Sequence, residues 1–142
     1  MRAVYRILAM LVAVGVVVQA AAIAYALFDI LNKTDDGQVF TKDSDNAGIA
    51  VHQVVGEMVV PLLVLALLIV SFFAAIPGGV KWALITFGVM VLQIALAYAS
   101  FPVPILGVLH ALNAFALAAV ASLAMRQARI AAETPAGAPA AA

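Results

Sequence analysis

The sequence contains no cysteine, which removes disulfides, thiolate metal sites, iron–sulfur clusters and cysteine nucleophiles together. Charge is nearly as scarce: it makes up 10% of the 142 residues, where an average soluble domain carries about a quarter. Lys+Arg 7 and Asp+Glu 7 cancel, so no net field draws the chain to nucleic acid or to an anionic surface. No basic patch for nucleic acid and no phosphate-binding glycine loop is present. Histidine occurs at two positions only, His52 and His110. The chain is instead rich in apolar residues: it is 67% hydrophobic, with a mean hydropathy of +1.18. An ordinary water-soluble globule is excluded, and the length suits one domain.

A hydrocarbon core of roughly 30 Å takes about 20 apolar residues per helix. Four segments qualify, at about residues 7–28, 49–75, 80–99 and 104–125. The connectors around Pro77-Gly78-Gly79 and Pro102 to Pro104 break helices and leave room only for tight returns. The sequence therefore predicts an all-α integral membrane protein, an antiparallel four-helix bundle over residues 1–130. The Ala/Pro-rich stretch 131–142 reads as a disordered cytoplasmic tail. No internal repeat stands out. Arg2 and Arg6 ahead of an apolar run give the first segment the look of a signal peptide. Its apolar stretch continues to Phe28, which favours a retained span.

Orientation follows Lys and Arg. Arg2, Arg6, Lys81, Arg126 and Arg129 fall on one side of the four-span arrangement, and only Lys33 and Lys42 on the other. This places both termini in the cytoplasm and the loop 30–48 outside a multi-pass chain of the cell membrane. With Asp29 at its edge, that loop carries five Asp against two Lys. A solvated acidic loop or a docking surface both fit it. Asp45 or Asn46 is the expected N-cap of the second span.

Polar groups in a bilayer are costly, about 2.5–3.5 kcal/mol for a central charge on the insertion scale, so their placement is informative. They gather in the outer half: Gln19 and Tyr25, His52, Gln53 and Glu57, Gln93 and Tyr98, His110 and Asn113. His52 and His110 open the second and fourth spans at similar depth, and those spans stand diagonally in a sequential bundle. Two imidazoles facing across that diagonal can take both axial positions of one haem iron. Small residues flank each: Gly48 and Gly56 around His52, and Gly107, Ala114 and Ala118 around His110. Such stripes would let a porphyrin lie against the backbone, and they also serve simply to pack helices closely. If haem is bound, its propionates must find Lys33, Lys42 or free backbone N–H groups at the start of the second span.

Glu57 lies about 140° round the helix from His52, so it is not a neighbouring ligand. It reads as a proton relay, a quinol-binding acid or a hydrogen-bond partner of Gln93 or Tyr98, with Gln53 and Asn113 in the same polar band. Asn113 either fixes an imidazole or bridges helices.

Histidines at the outer ends of spans two and four, a long first outer loop and the run Val108-Leu-His-Ala-Leu-Asn113 resemble one four-helix half of haem A synthase. The chain is also similar to small b-type membrane cytochromes. The resemblance covers residues 7–125 and implies haem b held by His52 and His110. Gly48, Ile49, Ala50 and Val51 stand where the synthase has an acidic residue, the loop cysteines are absent, and there is no second half. Electron transfer near the outer leaflet, from a quinol or to a redox partner, therefore fits better than synthase chemistry. Two other classes compete with this reading. One is a small proton-coupled transporter using Glu57. The other is a non-catalytic accessory subunit of a membrane complex, in either case with an oligomer allowed.

Overall fold

The computed structural model describes residues 1–41 and 43–133, and the regular structure among them is entirely helical. In chain order the elements are α1 (Arg2–Asp35), α2 (Ala47–Val54), a π-helical turn (Val55–Val59), α3 (Val60–Ser71), α4 (Gly79–Ser100) and α5 (Leu106–Glu133). The segment Ala47–Ser71 is one rod of 25 residues. With α1, α4 and α5 it makes four helices long and apolar enough to cross a membrane, as a multi-pass membrane protein requires.

The four rods pack side by side. α1 contacts α5 on one flank and α2–α3 on the other, and α4 contacts α5 and α3. The rod bearing His52 and the helix bearing His110 therefore face each other diagonally. At one end Arg2 donates to the carbonyls of Ala75 (3.0 Å) and Ala131 (2.9 Å). There too, the Tyr5 hydroxyl donates to Gly79 O at 2.8 Å, and Gln127 donates to Pro77 O at 2.8 Å. At the other end Asn46 reaches Ala26 O (3.3 Å) and Asp29 (2.9 Å).

The densest packing lies toward the Arg2 end. Tyr5, Ala9, Leu67, Ala83, Ala124 and Ala128 are buried in one cluster, and Val12, Val60, Val64, Leu117 and Ala121 in the next. Alanine is common there, and small side chains let helix backbones approach closely. Phe28, Phe73 and Phe115 remain 69–70% exposed, a surface suited to lipid rather than water.

Several boundaries differ from the sequence expectation. α1 does not stop near Phe28 but runs through Asp35. A Lys33–Asp29 ion pair at 2.8 Å and the Thr34 hydroxyl on Ile30 O hold this polar extension helical. The loop expected over 30–48 is thus shorter. Lys42, named above for propionates, lies outside the described residues. The second rod ends at Ser71 rather than Ala75, because Ala75 takes a left-handed φ of 48° and Pro77 disfavours helix in the residue before it. α5 starts at Leu106, past Pro104, and continues through Arg126 and Arg129 to Glu133. Residues 131–133 of the expected disordered tail are therefore helical, and 134–142 lie outside the described residues. Asn46, buried, is the N-cap of α2, its Oδ1 accepting from Ile49 N at 2.9 Å.

Candidate functional site

Pro61 sets the local geometry of the second rod. Proline has no N–H to return to the preceding turn, and its ring crowds the carbonyl four residues earlier. The helix widens into the π turn Val55–Val59 immediately before it, an arrangement seen where helices serve a site. His52 lies on the α-helical side of this turn, and Glu57 lies within it.

His52 is held from α1. Its Nδ1 donates to the Gln19 carbonyl at 3.2 Å, while the Gln19 amide donates back to His52 O at 2.9 Å. A carbonyl only accepts, so in the neutral ring the proton sits on Nδ1 and the Nε2 lone pair is left for another partner. His110 is held from α4 in the same way: its Nδ1 donates to the Gln93 carbonyl at 3.1 Å. The Gln93 amide nitrogen lies 3.2 Å from both ring nitrogens. Equal distances to both ring nitrogens put that amide over the face of the ring and not along the in-plane lone pair of Nε2. Asn113 fixes that amide, donating to Gln93 Oε1 at 2.8 Å and to Val89 O at 3.0 Å.

The two rings meet across the diagonal, with centroids 6.3 Å apart and planes at 63°. Both are half-buried. Among the described residues no third His, Asp or Glu joins them to complete a metal-binding group. The donor set is thus two imidazoles, each with its far nitrogen tied to a main-chain carbonyl. Metal-bound histidines are commonly oriented by such an outer contact.

The flanking small residues behave differently from one another. A Cβ on Gly48 would stand 2.4 Å from Ala22 O and 2.7 Å from Ala26 N. The space there is taken by α1, which corrects the expectation of a flat surface for a porphyrin. Gly56 is covered by the Gln19 amide, 3.0 Å from where its Cβ would be. Ala114 packs against the Val12–Leu117 cluster. Gly107, beside His110, meets only Ser100 Oγ, at 3.9 Å, and remains the open one.

The other expected network members stand apart. Gln93 is engaged by His110 and Asn113 and does not reach Glu57. Tyr98 is exposed and pairs with Phe101, ring centroids 6.4 Å apart, as an interfacial aromatic would. Gln53 and Glu57 are exposed on the outer surface of the rod. Gln19 was legible only as a member of the polar band; that its carbonyl and amide hold His52 was not foreseen, and the signal lay in its analogy with Gln93. Compared with protein-family models, curated proteins and solved structures, the chain matches none.

Proposed function

We propose that this protein is a b-type haem-binding membrane protein, an antiparallel four-helix bundle in which His52 and His110 would hold the haem. The observation that carries the reading is the 6.3 Å separation of two imidazoles whose Nδ1 atoms are both occupied by main-chain carbonyls. A metal ion held by one nitrogen of each ring, at about 2 Å from each, would fit a separation of that order. A pair of protein donors suits a metal that brings further ligands of its own, and a porphyrin supplies four nitrogens. When bound, haem supplies reversible one-electron transfer. The chain's part is to orient both imidazoles and fix their tautomers. Gly107 is the surface against which the macrocycle would lie, since α1 already occupies that of Gly48.

The contacts of Arg2 with Ala75 and Ala131 at one end, and of Asn46 with Ala26 at the other, support the antiparallel order. Arg6, Lys81, Arg126 and Arg129 belong to the segments that meet at the Arg2 end. By the charge rule that end is cytoplasmic, and the histidines then lie toward the outer leaflet of the cell membrane. The partner is a quinol or a protein redox carrier.

Absorption spectroscopy tests this directly. Protein from haem-replete cells should show a Soret band with resolved α and β bands, and His52→Ala and His110→Ala should each abolish the low-spin signal. Colourless protein that takes up no haem on titration overturns the reading.

A further inference from the structure

An open groove of about 410 Å³ lies between the π turn and α3 on one side and α4 on the other, lined by Glu57, Met58, Pro61, Leu62, Leu65, Phe87 and Met90. That volume is in the range of small-molecule sites, roughly 300–1,000 Å³. Every lining side chain but one is apolar, and the exception is Glu57. Its carboxyl has no hydrogen bond or ion pair among the described residues. A carboxyl left unpartnered at membrane depth is an expensive feature. The occupant that satisfies it must therefore come from the lipid phase.

The chemistry of the walls narrows that occupant. It needs an apolar body, because the groove opens where lipid would lie, and a hydroxyl to donate to the one carboxyl. Phe87 shares the lining with two methionines, Met58 and Met90, and this combination favours a flat ring through aromatic and sulfur–aromatic contacts. An acyl chain offers no hydroxyl, and an anion is repelled. A cation would be served by an aromatic cage, and the groove holds a single aromatic. Glu57 follows His52 by five residues, about 7–8 Å along the helix, so the occupant sits within one or two turns of the imidazoles.

We propose that this groove binds a quinol, a para-dihydroxy aromatic ring on a hydrocarbon tail, with one hydroxyl donating to the Glu57 carboxylate. The proposal deepens the haem reading by naming the substrate class, and it rests on that reading for the meaning of the distance to His52.

The test uses full-length protein in phosphatidylcholine nanodiscs, with a decyl-tailed benzoquinol as ligand and its azido derivative as photolabel. The label should map to peptides containing Met58, Phe87 or Met90. Glu57→Leu, which removes the acceptor, should weaken benzoquinol binding at least about tenfold, and so should Leu62→Trp, which fills the groove. Glu57→Gln keeps an acceptor and should stay within about threefold of the parent. The Soret band is recorded on the same samples. Binding that ignores Glu57→Leu and Leu62→Trp while the Soret band is intact overturns the quinol site alone. Binding without any Soret band overturns the haem reading alone. Displacement of the label by added phospholipid or by a decylamine as effectively as by benzoquinol also overturns the quinol site.

Discussion

The α1–α2 half and the α4–α5 half of this bundle solve one problem by different means. In each, a histidine is held by the backbone carbonyl of a glutamine on the preceding helix, at 3.2 Å for Gln19 and 3.1 Å for Gln93. The first half gets its rigidity from close backbone contact: Gly48 lets α2 lie against Ala22 and Ala26, and Gly56 lets the Gln19 amide cross over to His52 O. The second half relies on side-chain amides, with Asn113 holding Gln93 and Gln93 lying against the His110 ring. The first half leaves its ring held by the carbonyl alone; the second adds an amide over the face of the ring. Orientation of an imidazole thus needs only the carbonyl, and the surroundings decide how ready the ring is for a metal.

The largest effect should come from breaking the backbone contact. In Gly48→Ala the new Cβ meets a carbonyl oxygen that cannot rotate away, so α2 must move off α1. A loss of about 1–3 kcal/mol is expected, as for other overpacked sites. Gly107→Ala has open space and should stay within about 0.5 kcal/mol. Denaturant titration of both variants in mixed micelles measures the difference, and equal losses would erase the distinction between the halves.

A smaller effect is expected from the glutamine of the first half. Gln19→Leu removes the donor to His52 O but leaves the carbonyl of residue 19 in place for Nδ1. Hydrogen bonds between helices in membranes are worth about 0.6 kcal/mol on average and up to about 1.7, so the loss should fall in that range. The same titration reads it, and a loss above about 3 kcal/mol would mean that Gln19 supports the whole π turn. Asn113→Leu removes two bonds at once and should cost about as much, while freeing the Gln93 amide to turn.

Much of the helical fold was legible because four apolar runs long enough to cross a membrane, parted by Pro77 and Pro102, leave few alternatives to long helices. Hydropathy marks the length that crosses lipid and not the length of helix. The ends of α1 and α5 were therefore missed, where Asp29–Lys33 and Arg126 to Glu133 continue the helix in polar sequence. His52 and His110 were legible as a pair from their matched depth on alternate spans. The use of the small residues was not, since Gly-x-x-x-His reads alike whether a helix or a cofactor fills the space. The π turn and the role of Gln19 depend on rotation about the helix axis, to which Pro61 adds a shift that a regular 3.6-residue count omits. The expected pairing of Glu57 with Gln93 failed for that kind of reason: Asn113 and His110 already use the glutamine, and Glu57 turns outward to the groove.

The smallest predicted effect separates the halves most finely. In Gln93→Leu the backbone carbonyl remains, so Nδ1 of His110 keeps its acceptor and the ring keeps its tautomer. What is lost is the amide over the face of the ring, 3.2 Å from both ring nitrogens. A typical polar contact of this kind contributes about 0.5–1.5 kcal/mol net. Its loss loosens the ring and should weaken haem binding by about two- to tenfold. Gln19→Leu should give no such loss, because the Gln19 amide donates to His52 O and not to the ring. Haem titration of the apo forms in micelles, followed at the Soret band, compares the two variants directly. Should Gln93→Leu instead lose the low-spin signal as completely as His110→Ala, the carbonyl alone would not suffice to set the ring.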